Sequence, residues 1–190
     1  MESDLINYTA LEKELGYTFK NKDYLYEALI HSSYAHESGI GRSNERMELL
    51  GDAVLHFALT EFLMDSFPTD NEGQLSALRS YCESEPFLYE HALDLNIGDF
   101  ILFGKGEELS GGAKKESLLA NTCEAIIAAI HLDSGYDEAK HFVLEKLKAD
   151  VLAAHRGKLH IDSKSELQKI TQKIYKTLPE YVVVSETGMD

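Results

Sequence analysis

At 190 residues and 44% hydrophobic, the chain is long enough for one large domain, or one domain plus a small module, around a real core. Its formal charge of −15 argues against indiscriminate electrostatic capture of a polyanion. The acidic start, Met1-Glu2-Ser3-Asp4, lacks signal-peptide layout and no apolar run approaches bilayer length, so a cytoplasmic protein without a membrane partner is expected.

In chain order, helical spacing predicts helices over Leu5 to Leu15, Lys22 to His31, Asn44 to Phe67, Glu72 to Leu95, Ser117 to Leu132 and Asp137 to His155. β-branched alternation is nearly absent there, so the class is all-α. Phe100-Ile101-Leu102-Phe103 reads either as extended or as a last helical turn. Composition shifts at His155-Arg156-Gly157-Lys158. Residues 1–155 then form one domain, 156–161 a linker and 162–190 the beginning of a second. In that last part Ser163 and Glu166 have capping-box spacing, and Leu167, Ile170 and Ile174 form an apolar stripe. Leu178-Pro179 ends this helix, and Tyr181-Val182-Val183-Val184 reads as a strand. The lone helix and strand cannot close a core. Cys82 and Cys123, far apart in helical contexts, are expected to be buried free thiols.

The most informative stretch runs from Asn44 to Leu55. On a helix Glu45, Glu48 and Asp52 fall at i, i+3 and i+7 and line one stripe, while Met47, Leu50, Val54 and Phe57 can anchor another face. Crowded carboxylates repel unless a cation lies between them, and oxygen ligands suit Mg²⁺ or Mn²⁺. A solvated acidic face explains this stretch alone equally well. The balance shifts at Leu118 to Ile130, a nearly all-apolar helix whose main polar intrusions are Asn121 and Glu124. A carboxylate on such a helix needs a partner, because burying an unpaired charge is costly. Ala125, Ala128 and Ala129 are small enough to admit a second helix. A crossing there would set Glu48 and Asp52 opposite Asn121 and Glu124.

The segment Asn44 to Leu55 resembles the signature of the ribonuclease III family. His31-Ser32-Ser33-Tyr34, Phe67-Pro68, Glu72-Gly73, Gly104-Lys105-Gly106-Glu107-Glu108 with Ser110-Gly111-Gly112, and Leu119 to Asp133 match that family's order and spacing to about residue 150. The resemblance implies a helical nuclease domain followed by the start of a double-stranded-RNA-binding domain. It implies a Mg²⁺-dependent endonuclease, with Mn²⁺ as an alternative ion, acting as a homodimer on RNA duplexes. The expected products carry 5′-phosphates and short 3′ overhangs, and the expected substrates are ribosomal RNA precursors and structured transcripts.

By the same resemblance Glu48, Asp52, Asn121 and Glu124 are the metal-coordinating cluster, with Asp52 and Glu124 the catalytic pair. Such a metal would stabilise charge on the phosphodiester oxygens and activate water. Glu45 and Glu72 are auxiliary candidates; Glu45 could equally pair with Arg46 or a neighbouring helix. Asn121 stands where the family usually has Asp, so one formal charge is missing. An impaired enzyme that binds duplex RNA without cutting it is therefore the alternative. Leu49 occupies the family's dimer-knob position, where Phe is usual. Gln168 and Gln172 correspond to minor-groove contacts, and Lys114 and Lys115 are candidate phosphate contacts or a solvated pair. Residues 1–161 carry a charge of −14 and 162–190 a charge of −1, so RNA binding should be weak and salt-sensitive. No His-Glu-x-x-His, Cys-x-x-Cys or Gly-x-Ser-x-Gly motif occurs, and Gly104-Lys105-Gly106 lacks the ending of a P-loop. His31 and His36 read as packing or capping residues.

Overall fold

A computed structural model describes residues 8–157, 168 and 171–180. Nine named helices appear among them: α1 (Tyr8–Leu15), α2 (Lys22–Ala28), α3 (Ser32–Ser38), α4 (Glu45–Ser66), α5 (Glu72–Cys82), α6 (Glu85–Asp94), α7 (Lys105–Leu109), α8 (Glu116–Ser134) and α9 (Tyr136–Arg156). Two 3₁₀ turns, Ile97–Asp99 and Gly112–Lys114, complete the domain. The fold is all-α. Among the described residues no helix is long and apolar enough to cross a membrane.

Helix α8 is the axis. It has no proline or internal glycine, and Leu119, Ala120, Thr122, Cys123 and the whole run Ala125 to Ile130 are buried. A helix apolar on all sides must be surrounded, and α2, α4, α6 and α9 pack around this one. Each fully buried leucine or isoleucine contributes about 1.5–3 kcal/mol, so Leu119, Ile126 and Ile130 anchor α8 firmly in the core. Gly135, at φ +88°, turns the chain directly into α9.

The structure corrects several expectations and bears out others. The predicted helix from Glu72 to Leu95 is two helices, broken at Glu83 and Ser84. Pro86 lies in the first turn of α6, where its missing N–H costs nothing; deeper in a continuous helix it would remove a hydrogen bond and clash. Asn71 starts α5 with a complete capping box, exchanging hydrogen bonds of 3.0 and 2.9 Å with Gln74. The helix predicted to reach His31 stops at Ala28, and His31 instead caps α3, accepting from the Ser33 amide. His36 is exposed. Leu102 forms a parallel bridge with Ile30, so the Phe100–Phe103 run is extended at that point. Phe57, expected in the core-anchoring face of α4, is 52% exposed and packs against Tyr136, whereas Met47 and Val54 are buried. Both cysteines are free and buried.

The capping-box residues Ser163 and Glu166, the apolar residues Leu167 and Ile170, and the expected strand at Tyr181 to Val184 lie outside the described residues. Within them, residues 171–175 are helical, Lys176 takes a left-handed φ of 60°, and Ile174 of the apolar stripe is exposed.

Candidate metal and catalytic centre

Helices α4 and α8 meet backbone to backbone at Gly51. A Cβ built there would lie 1.8 Å from the carbonyl oxygen of Glu124. Gly51 thus admits the closest approach, more than the alanines Ala125, Ala128 and Ala129 singled out from sequence. The contact fixes what projects on either side. Glu48 and Asp52 leave α4 one turn apart, and Asn121 and Glu124 leave α8 at the crossing.

The four side chains act on one another. Glu48 is half-buried and its carboxylate accepts a hydrogen bond from the Asn121 side chain. Burial, then Glu45, pushes the Glu48 pKa up; Asn121 opposes the shift and Asp52 adds to it. Glu124 is raised further, to about 8, by burial and then by Asp52, Glu48, Glu83 and Glu85. Among the described residues, no lysine or arginine forms an ion pair with Glu48, Asp52 or Glu124. Nor do three His, Cys, Asp or Glu side chains there converge into a ready-made cage. The site is an open wall of hard oxygen donors without a basic partner, to which Asn121 adds a neutral amide oxygen. Its neighbour Cys123 points away from reactivity, since complete burial and then Glu124 push the thiol up to about 12.

Glu45 is exposed at the start of α4 and accepts from the Ser43 hydroxyl at 2.8 Å, rather than pairing with Arg46. Glu72 is exposed in the first turn of α5, bonded by Ser76 at 2.9 Å. It lines a cavity of about 310 Å³ with Met64 and Arg79. Lys115 donates to Glu107 at 2.6 Å and to Ser110, so it is a tether between α7 and the start of α8 rather than a free phosphate contact. Lys114 is exposed. Leu49, beside Glu48, is 75% exposed. Gln168 is half-buried and Gln172 exposed, with no link from either to the acidic wall.

Sequence reading missed Glu83 and Glu85, which enter the field at Glu124 because the chain breaks between α5 and α6. The Glu83 carboxylate lies 3.1 Å from His56 Nδ1 and 3.8 Å from Arg79 Nε. Burial raises its pKa against the pull of His56 and Arg79. His56 continues the α4 stripe one turn beyond Asp52, so Glu48, Asp52 and His56 at i, i+4 and i+8 were a legible signal. The charged sequence Glu83-Ser84-Glu85-Pro86 was another.

Residues 21–151 match the Ribonuclease-III-like family. The chain is 44% identical over 189 residues to Ribonuclease 3 of Syntrophobacter fumaroxidans, covering 95% of this chain and 77% of that protein. It is 42% identical over 181 residues to Ribonuclease 3 of Pseudothermotoga lettingae, covering 93% and 76%. The crystal structure of the ribonuclease III nuclease domain of Campylobacter jejuni superposes with a TM-score of 0.71 at 42% identity, over 76% of this chain and 95% of that one. Dicer from Pichia stipitis, at 24% identity and TM-score 0.55, shares the fold. The chain belongs to the ribonuclease III family and is an endoribonuclease.

Proposed function

We propose that the protein cleaves double-stranded RNA with Mg²⁺, or Mn²⁺ in its place, held by Glu48, Asp52, Asn121 and Glu124. The observation that carries this reading is the Gly51–Glu124 contact. It sets two pairs of oxygen donors against each other with no basic partner, and leaves a half-buried carboxylate raised to about 8. Donors of this type fit a hard divalent ion. When bound, that ion would stabilise negative charge on the scissile phosphate and supply a water of lowered pKa. Asp52 and Glu124 are the catalytic pair: as carboxylates they would hold the ion beside the reacting phosphate and accept hydrogen bonds from water, Glu124 giving up its proton as the ion binds. Glu48 is held in orientation by Asn121.

Two such centres in a homodimer, apposed through the exposed Leu49 face, would each cut one strand, giving 5′-phosphates and short 3′ overhangs. Support comes from a Campylobacter jejuni ribonuclease III nuclease domain described as having a region involved in dimer formation, 43% identical to this chain. The duplex would be chosen by shape and 2′-hydroxyls, with Gln168 and Gln172 reading the minor groove and Lys114 meeting phosphate. Ribosomal RNA precursors and structured transcripts in the cytoplasm are the substrates this reading favours.

The test is cleavage of an end-labelled RNA duplex with Mg²⁺ or with EDTA, for wild type and Glu124→Gln. Cleavage is expected only with the metal, and the variant should be slower by about a hundredfold or more. A second reading, a duplex-binding protein with little cleavage, is favoured by the neutral Asn121. Retention of duplex by a protein that leaves it uncut in millimolar Mg²⁺ would establish that alternative.

A further inference from the structure

Away from the acidic wall, a cavity of about 470 Å³ opens between the end of α5, helix α6 and the C-terminal part of α9. Its wall is aromatic. Tyr81 meets Phe87 edge-on with ring centroids 5.5 Å apart, and Phe87 meets the His91 ring at 4.8 Å. Phe87 is buried, whereas Tyr81 remains 45% exposed and leaves part of its ring open to a ligand.

The charged part of the lining is acidic, with Glu90 and Asp94 from α6 and Asp150 from α9, and small residues such as Ala153 and Ala154 complete it. No lysine or arginine lines the cavity. Among the described residues, the only ion-pair contact made by these three carboxylates is Asp150 to His91 Nε2, at 3.6 Å. That imidazole is not a cation at neutral pH, because burial lowers its pKa against the pull of Asp150, Asp94 and Glu90. The cavity therefore combines aromatic faces with uncompensated negative charge.

We propose that this cavity docks an arginine-bearing segment of a protein partner. A planar guanidinium can stack on the exposed Tyr81 ring, which Phe87 braces edge-on, while bonding a carboxylate with two parallel N–H groups, which an ammonium cannot do. The partner's arginine would lie between the Tyr81 ring and Asp150, whose side chain is 60% exposed beside His91. The volume holds two or three residues of such a segment, within the usual range of ligand clefts. RNA does not fit, since three carboxylates repel phosphate.

The full chain is titrated at physiological salt with a fluorescent Gly-Arg-Arg-Gly peptide, its lysine counterpart and its citrulline counterpart, and read by anisotropy. The arginine peptide should bind several-fold more tightly than the lysine one, and the neutral citrulline peptide should not bind. Asp150→Asn and Tyr81→Ala, both at exposed positions, should each weaken binding by roughly threefold to tenfold. Glu138→Gln removes the same charge from the far end of α9 and should change binding less than twofold. Equal losses from Asp150→Asn and Glu138→Gln would overturn the proposal in favour of diffuse attraction to an acidic protein. Spermidine competing as well as the arginine peptide would overturn it in favour of a polyamine. No binding of any peptide would overturn it outright.

Discussion

Gly51 and Glu124 occupy one another's space to within a single carbon atom. The position of an added Cβ on Gly51 is 2.4 Å from the carbonyl carbon of Glu124 and 3.1 Å from its Cα. Both neighbours are backbone atoms of the buried helix α8, which cannot swing aside as a side chain could. The residues flanking this contact are Asp52 and Glu124 themselves, so the separation of the helices and the spacing of the functional carboxylates are one quantity.

Gly51→Ala is expected to separate the helices. Alanine is better than glycine inside a helix by about 1 kcal/mol, whereas overpacking a tight contact costs about 1–3 kcal/mol, and the clash here is with backbone. The melting temperature should fall by several degrees. Cleavage at a temperature where the variant is still folded should fall much further, by tenfold or more, because a displacement near 1 Å misplaces the reacting groups. A variant with wild-type melting and wild-type cleavage would show that the helices can part without cost.

Leu49→Lys tests the dimer. A side chain 75% exposed in the single chain contributes little to that chain's own stability, so the substitution should leave the monomer's melting within about 0.5 kcal/mol. Against a second copy it would bury an unpaired charge. Sedimentation velocity at micromolar concentration should show wild-type dimers and variant monomers, and the variant should lose coordinated double-strand cuts. A wild-type monomer at that concentration would remove the basis for paired cutting.

Asp133 ties the end of α8 to the start of the chain. It accepts from the Tyr17 hydroxyl at 2.6 Å and from the amides of Lys20 and Asn21 at 3.0 and 2.8 Å. Burial pushes its pKa up, but these three hydrogen bonds outweigh burial and leave it below the ordinary 3.8. A depressed carboxylate stabilises the fold above its unfolded pKa and loses that contribution as pH falls through the folded value. Asp133→Asn should therefore cost about 1–3 kcal/mol at pH 7, and the gap between the two proteins in urea melts should close below about pH 3.8. A gap of constant size down to pH 2.5 would mean the charge of Asp133 is irrelevant.

The architecture was largely legible because its two central helices differ so plainly from their surroundings. Leu119 to Ile130 is too apolar to be anything but interior, and Asn44 to Leu55 alternates anchoring and acidic positions with helical period. The placement of Glu48 and Asp52 against Asn121 and Glu124 followed from those periods. What sequence spacing could not show were relations across the fold. The link from Lys115 to Glu107 joins two elements through a loop, and the approach of Glu83 to His56 depends on where α5 stops. Helix α3 was missed because seven residues hold too few turns to display a period, although its His31 cap and left-handed Gly39 at φ +72° bracket it. Phe57 was misplaced because a helix face judged by hydrophobicity alone does not reveal where the neighbouring helix ends.

Asn121→Asp separates the electrostatic roles of the centre. In the metal-free protein the Asn121 amide donates to Glu48, and an aspartate at that position has no proton to offer at neutral pH. Two carboxylates would then face each other, a repulsion of up to about 4 kcal/mol at 4 Å for a site near the protein surface. The variant should melt below wild type in EDTA. A divalent cation between the two would convert that repulsion into attraction, so Mg²⁺ should raise the variant's melting temperature more than wild type's. The Mg²⁺ concentration for half-maximal cleavage should fall several-fold, since a carboxylate attracts the ion more strongly than an amide dipole does. Glu124→Gln should move the other way in both measurements. Thermal melts across a Mg²⁺ titration, run beside cleavage rates for the three proteins, provide the check. Superimposable curves for wild type and Asn121→Asp would show that residue 121 does not contact the metal, and the centre would then rest on Glu48, Asp52 and Glu124 alone.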